Sequence, residues 1–338
     1  MEDLRNEVHN HYDFDIKSIA RYMDGYKLTT KSGEKYLKKM RLSPGRVLFI
    51  HGFKEHLALN GFEHIDRYIL TKDKKPYMLY ETDCYTVTDI PQGRECDFNV
   101  LKDVKQAAKA LARLHKASLG YEPPEGCLIQ DGHGKLVEVC KRRLKELQRL
   151  KNQAKRVNGE VDYIFLSHVD FYYEMGMEAV TELDEIYKNI RKLPLKERNV
   201  CHYEFSHRNV RFSSQGAFIS GFDNCKFEER AFDISELLRR RIKKAGWHVD
   251  EAFEILEAYN EVYPVTSTDK KMIGLILQFP YQFWTNTNRF YNSRRSWSEK
   301  VFREKIGQVV EEKDEYINFL KAFKSMELQA DRIGNKEQ

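Results

Sequence analysis

The stretch that most limits what this chain can fold into is Val200 to Asp223, reading VCHYEFSHRNVRFSSQGAFISGFD. His202, Glu204 and Asn209 stand at the spacing of a phosphoryl-transfer catalytic loop. In that loop a His is followed two residues on by an Asp, and five residues later by an Asn. Here Glu takes the Asp position. A metal-binding strand should follow after a short hairpin, with an Asp just before an aromatic or apolar residue. The chain reads Ile219-Ser220-Gly221-Phe222-Asp223, so Gly221 stands where that Asp belongs. A chain with such a loop also needs a cation-bearing strand upstream and a helical scaffold around it.

Bulk properties leave room for both. At 338 residues, with 41% hydrophobic and 32% charged residues, the chain is long enough for one large or two ordinary domains with a sizeable core. A net charge of +5 suits an anionic ligand such as a nucleotide and is too small to indicate nucleic acid. The six cysteines are scattered and none form C-x-x-C, which reads as reduced thiols in a cytosolic compartment. The N-terminus has no basic patch followed by an apolar run, so no secretion signal is expected. The most apolar window, Met272 to Phe279, is much shorter than the roughly 20 residues of a membrane span.

Along the chain, residues 1–91 read as short strands around one helix. Tyr26 to Thr30 and Lys35 to Arg41 are β-like runs about a Lys31-Ser32-Gly33-Glu34 turn. Ser43-Pro44-Gly45 opens a helix that should run from Arg46 to Leu59 and stop at Asn60-Gly61. Arg67 to Thr71, Pro76 to Tyr80 and Tyr85 to Ile90 read as further strands. Pro91 to Glu95 is the expected hinge. Residues 92–330 are then mainly helical: Asn99 to Ser118, Lys135 to Val157, Glu174 to Lys192, Ser235 to Ala245, Asp250 to Val262, Thr268 to Phe279 and Ser298 to Met326. A hairpin at 211–222 interrupts them, and 331–338 is expected to be a disordered tail. This order predicts an α+β, two-lobed protein-kinase-like fold: a small antiparallel sheet lobe with one helix, then a large helical lobe. A nucleotide would sit in the cleft between lobes.

Phosphoryl transfer needs a cation on the phosphates, carboxylates for magnesium and a residue orienting the acceptor. Lys38 is the candidate cation, on the strand face opposite Leu37. Lys39 takes its place if the register slips by one, and a solvated strand lysine is the plain alternative. Glu55, in the following helix, is its expected partner. No glycine-rich loop precedes Lys38, and Gly132-His133-Gly134-Lys135 lacks the spacing of a P-loop. Glu204 places its carboxylate one methylene further out than Asp would, a displacement that matters for positioned catalysis. Asn209 is placed to hold a metal or brace the loop, and His202 reads as packed structure. Asp223 could replace the missing metal ligand, or simply cap a turn. Asp233 reads as an N-cap or a brace. The basic run Arg239 to Lys244 reads as solvated surface, and the aromatic group from Phe279 to Trp297 as core packing.

Taken together, the sequence resembles the CotS family of spore coat proteins from endospore-forming bacteria, within the aminoglycoside phosphotransferase/choline kinase-like branch of the kinase fold. The resembling segments are Lys35 to Lys39, His56 to Phe62, Gly93 to Phe98, Leu111 to His115, Cys201 through Asn209, Asp233 to Arg239 and Phe279 through Trp297. The resemblance implies a coat or coat-assembly protein with other coat proteins as partners, made in the cytoplasm and placed in the spore coat. It also implies a site for ATP and Mg2+, in which Glu204 takes the catalytic Asp, Asn209 the metal Asn, Gly221 the metal Asp and Asp223 the second acid. Two of these four positions depart from the family pattern, which favours a pseudokinase. The alternative is an active phosphotransferase on a small hydroxyl or amine substrate.

Overall fold

Leu28, Leu37 and Val87 are fully buried residues on three neighbouring strands, and together they form one apolar face. The strands are β1 (Ile16–Tyr22), β2 (Gly25–Thr30), β3 (Gly33–Met40), β4 (Met78–Tyr80) and β5 (Asp83–Asp89). They make an antiparallel sheet in the order β1-β2-β3-β5-β4. Helix α1 (Glu2–His11) covers the Leu28–Leu37–Val87 face with Leu4 and Val8, joined by Tyr12. Helix α2 (Pro44–Leu59) starts at the expected Ser43-Pro44 and ends at Asn60-Gly61, where Gly61 takes φ +80. It buries Val47, Phe49, Ile50, Phe53 and Leu57, together with two cations, Arg46 and Lys54.

The computed structural model describes residues 2–157, 159–293 and 297–334. The chain divides into two units. The first holds Met1–Asp131, Pro194–Glu228 and Ala258–Tyr263. Beyond the sheet and its two helices it contains β6 (Arg94–Glu95), α3 (Leu101–Ser118), β7 (Val200–Cys201), β8 (Val210–Ser213), β9 (Gly216–Ile219) and β10 (Lys226–Phe227). β6, β8 and β9 form a small sheet, and β7 pairs with β10. The backbone after α2 joins the edge of β9 through a parallel bridge between Ile65 and Ile219. The expected boundary at 91/92 falls inside this unit.

The second unit holds Gly132–Leu193, Glu229–Glu257 and Pro264–Gln338. Its helices are α4 (Leu136–Val157), α5 (Glu160–Ile190), α6 (Arg230–Ala245), most of α7 (Val249–Asn260), α8 (Ser267–Gln278), α9 (Tyr281–Asn292), α10 (Glu299–Glu311) and α11 (Lys313–Gly334). Among the described residues, no helix is long and apolar enough to cross a membrane. All six cysteines are free thiols.

Several local expectations change. α1 and β1 add a second helix and a fifth strand to the sheet region, because their apolar signals are sparse: α1 buries only Leu4 and Val8, and β1 only Ile16. Arg67 to Thr71 forms no strand but a single antiparallel bridge, Tyr68 to Thr88. α5 begins at Glu160, where the Asp162 carboxylate accepts the Gly159 amide at 2.9 Å. The helix expected from Ser298 to Met326 breaks at Glu312 into α10 and α11. α11 continues to Gly334, and 335–338, the end of the expected tail, lie outside the described residues. Asp233 does not cap α6: Glu229 stands at the N-cap position, without a side-chain cap bond, and Asp233 is buried in the first turn. The run 239–244 is not uniformly solvated: Arg241 is buried against Glu251, at 2.8 and 2.9 Å, and Arg239 donates to the Ile276 carbonyl at 2.8 Å.

Candidate functional site

The candidate site residues Lys38, Glu55, Glu204, Asn209 and Asp223 all lie in the first unit. Lys38 sits in β3, opposite Thr86 of β5. Leu37 faces the core at zero exposure, so Lys38 and Tyr36 share the other face. Lys39 instead pairs with Asp83 near the surface, so the register places Lys38, not Lys39, at the site. The Lys38 ammonium meets Asp223 Oδ2 at 2.6 Å. Partial burial works to lower its pKa, but attraction to Asp223 and the hydrogen bond between them, with Asp24 and Asp66 behind, raise it. The lysine is therefore a fixed cation.

Glu55 is not its partner. Arg67 holds both Glu55 oxygens, and His51 Nδ1 lies 3.8 Å away. One residue earlier on α2, Lys54 turns inward with 1% of its side chain exposed. Its ammonium lies 2.9 Å from Asp66 Oδ1 and donates to the Asp66 carbonyl at 2.7 Å. The other Asp66 oxygen accepts the Gly221 amide at 3.0 Å. Arg46, two turns earlier, donates to the Asp223 carbonyl at 3.1 Å and also to the Cys225 carbonyl. α2 thus reaches the Gly221–Cys225 loop with two cations, and the carboxylate on its partner segment, Asp66, ties the loop's backbone. No sequence motif announces Lys54 or Asp66. A lysine on the apolar stripe formed by Ile50, Phe53 and Leu57 was the available signal.

The residues of the expected catalytic loop join in one hydrogen-bond network. His202 is fully buried; its Nε2–H donates to the Ser220 carbonyl at 3.0 Å, and its Nδ1 accepts the Glu204 amide at 3.3 Å. This is the packed structural role expected for it. Tyr203, between His202 and Glu204, takes φ +68. Asn209 donates from Nδ2 to the Glu204 carbonyl at 2.9 Å, and its own carbonyl accepts the Ser220 amide at 2.9 Å. The Glu204 residue itself is exposed.

Gly221 is built into this frame. Its φ is +82, and a Cβ placed on it would stand 3.0 Å from Asn209 Oδ1 and 3.1 Å from Asn209 Cγ. Both the backbone conformation and the neighbouring amide resist a side chain here. The space beside Gly221 is thus taken by the Asn209 side chain, from the short 3-10 turn His207–Asn209. For a divalent cation, the oxygens that remain are the Asp223 carboxylate and Asn209 Oδ1, the latter left over once Nδ2 is bonded. Either could serve a magnesium ion, which binds through one or two protein oxygens plus phosphates and water.

Comparisons with known proteins bear on this geometry. The family described as "Spore coat putative kinase YutH" matches residues 5–323. Spore coat protein S of Bacillus subtilis (strain 168) is 24% identical over 331 residues, covering 94% of each chain. Among solved structures, an aminoglycoside phosphotransferase from Alicyclobacillus acidocaldarius superposes with a TM-score of 0.83 at 19% identity, covering 96% of each chain. An amicoumacin kinase in complex with AMP-PNP and Ca2+ gives 0.61 at 15% identity, over 91% of this chain and 93% of that one. A spectinomycin phosphotransferase in complex with ADP and spectinomycin gives 0.60 at 14%, with the same coverage. The protein-kinase-like fold expected from the sequence is therefore the fold of this chain.

Proposed function

Since this chain belongs to the YutH family of spore-coat kinase-like proteins, we propose that it serves as a coat or coat-assembly component with a phosphotransferase frame that no longer transfers phosphate. On this reading the protein is a pseudokinase. It retains a cradle for a nucleotide with its divalent cation, made by Lys38, Asp223 and Asn209. Its partners are other coat proteins, in keeping with the name of its Bacillus subtilis relative. Nucleotide and metal are suggested by relatives of the same fold that were solved with ADP or with AMP-PNP and Ca2+.

The observation that carries the loss of catalysis is the Gly221–Asn209 contact. A magnesium-dependent transferase needs an acid at 221, and here the backbone is left-handed and the space beside it holds Asn209. Glu204 adds to this, since its longer arm starts from an exposed position beside a strained Tyr203. When bound, the divalent cation would neutralise phosphate charge. The chain's own part is to hold Lys38 and Asp223 together and to present Asn209 Oδ1.

The second reading, an active phosphotransferase on a small hydroxyl or amine substrate, is favoured by one contact: Asp223, two residues past Gly221, stands beside the phosphate lysine. Glu204, Asn209 and Asp223 would then carry the reaction. Nucleotide binding tests the cradle that both readings share, and turnover separates them. With ATP and Mg2+ the thermal midpoint should rise, and the rise should be lost in Lys38→Ala. Phosphate release and transfer to aminoglycoside, choline and ethanolamine acceptors should stay at background. Turnover abolished by Glu204→Gln and Asn209→Ala would overturn the pseudokinase reading.

A further inference from the structure

The β1–β2 hairpin lies directly over Lys38. Tyr22 pairs with Gly25 across a two-residue turn, Met23-Asp24. Gly25 packs so tightly on β3 that a Cβ there would meet the Leu37 carbonyl oxygen at 2.3 Å and Lys38 Cα at 3.2 Å. That contact fixes the turn against the lysine strand. Asp24, at the tip, accepts a hydrogen bond from the Tyr36 hydroxyl, and Tyr36 shares the Lys38 face of β3. Partial burial works to raise the Asp24 carboxyl, but the Tyr36 hydrogen bond, Lys38 and Arg41 outweigh it and hold it below the usual carboxylate range. Asp24 is thus an anion at neutral pH. Lys38 answers two site carboxylates, Asp223 by direct contact and Asp24 from the turn above, with Asp66 beyond them.

We propose that Asp24 makes this site selective for nucleotide carried with a divalent cation and turns away the metal-free polyphosphate. The proposal rests on the nucleotide-cradle reading given above. A free triphosphate arriving at Lys38 meets an ammonium already neutralised by Asp223 and a second carboxylate on the covering turn. Like charges gathered around one ammonium oppose binding, even with Asp24 exposed to solvent. A divalent cation reverses the balance. With such a cation bound, Asp223 would be its ligand, Lys38 would be left to phosphate oxygen, and Asp24 would face a complex of lower charge. A turn of backbone amides would greet phosphate indifferently; a turn bearing Asp24 discriminates.

The test is Asp24→Asn, which keeps an acceptor for the Tyr36 hydroxyl and removes the charge. Titration calorimetry and thermal midpoints are read with ATP in EDTA and with ATP and Mg2+. In the wild type, metal-free ATP should bind at least about tenfold more weakly than the magnesium complex. In Asp24→Asn that gap should shrink by about tenfold, with most of the change in the EDTA arm. Tyr36→Phe loosens the carboxylate without deleting it and should keep the wild-type gap. Metal-free ATP binding that is unchanged by Asp24→Asn overturns the role of Asp24, whatever the magnesium arm does. A magnesium arm with no Lys38-dependent rise in the wild type counts separately against the cradle reading. Asp24 is exposed on a turn, so the variant should fold, and an unchanged urea midpoint checks this.

Discussion

At the scale of single residues, Gly221 is the most informative position in the molecule. Gly221→Asp, the obvious attempt to restore a metal ligand, should fail twice. It places a side chain at φ +82 and drives Cβ into Asn209. The expected cost is about 1–3 kcal/mol in urea unfolding, with no gain in phosphate transfer. The pair Gly221→Asp with Asn209→Ala should recover part of that stability, because the clash is with Asn209. A smaller effect concerns His51. Burial is the largest cause holding its imidazole below the ordinary value, with Lys54 and Arg67 acting the same way and Glu55 opposing them. The unfolded chain therefore binds the proton more readily, and stability attributable to His51 is lost as pH falls through the unfolded value near 6.5. His51→Phe should flatten the decline in urea midpoint between about pH 7 and pH 5; an equally steep decline in the variant would refute this. The acid-bearing positions were legible because catalytic spacing is strict. Glu55 misled because spacing names a helix, not which of two adjacent residues turns inward, and here the inward residue is Lys54.

At the scale of elements, α2 does the organising. Its inner face carries Arg46 and Lys54 to the Gly221–Cys225 loop, so the helix positions Asp223 through backbone carbonyls and through Asp66. Lys54→Ala would leave Asp66 partly buried without its cation and should destabilise by about 3–5 kcal/mol. It should also weaken the magnesium-dependent midpoint rise, whereas Glu55→Ala should change stability by less than about 1 kcal/mol, because its partner Arg67 is half exposed. In the second unit, Glu229 plays a similar joining role. It accepts from His133 Nδ1 at 2.8 Å, from the Gly134 amide at 2.9 Å and from the Tyr187 hydroxyl at 2.7 Å. The glycine-flanked His133, unsuited to a phosphate loop, is thus a buried anchor for the start of α6. Helices with a clear start, stop or apolar stripe, such as α2, α3 and α8, could be read ahead of the structure. α9 could not, because Tyr281 to Asn292 is aromatic on more than one side and buries only Phe283, Asn286 and Thr287.

At the scale of the whole molecule, the site's residues come from segments far apart in the chain yet fall in one unit: 24 to 66 supply the sheet and α2, and 202 to 225 the loop. A nucleotide bound there should slow amide exchange in β3, the β1–β2 turn and residues 219–226. Exchange in α4 and α5 should change far less. Hydrogen-exchange mass spectrometry with and without ATP and Mg2+ reads this directly, and uniform protection of both units would argue against a local site. The two-part composition of the chain, strands first and helices after, was visible in the sequence. The grouping of 194–228 with the first ninety residues was not, because it depends on contacts between distant segments such as Ile65 with Ile219.

α1 has a consequence of its own for biosynthesis. It is translated before the strands it covers, which end with β5 some seventy residues later. A ten-residue helix with two buried anchors has little stability alone. At ribosomal speeds of about 5–20 residues per second it waits several seconds, unpartnered, while Met78 and Val87 emerge. Until then the nascent sheet presents Leu28 and Leu37 uncovered, and this is the window in which a chaperone would find the chain.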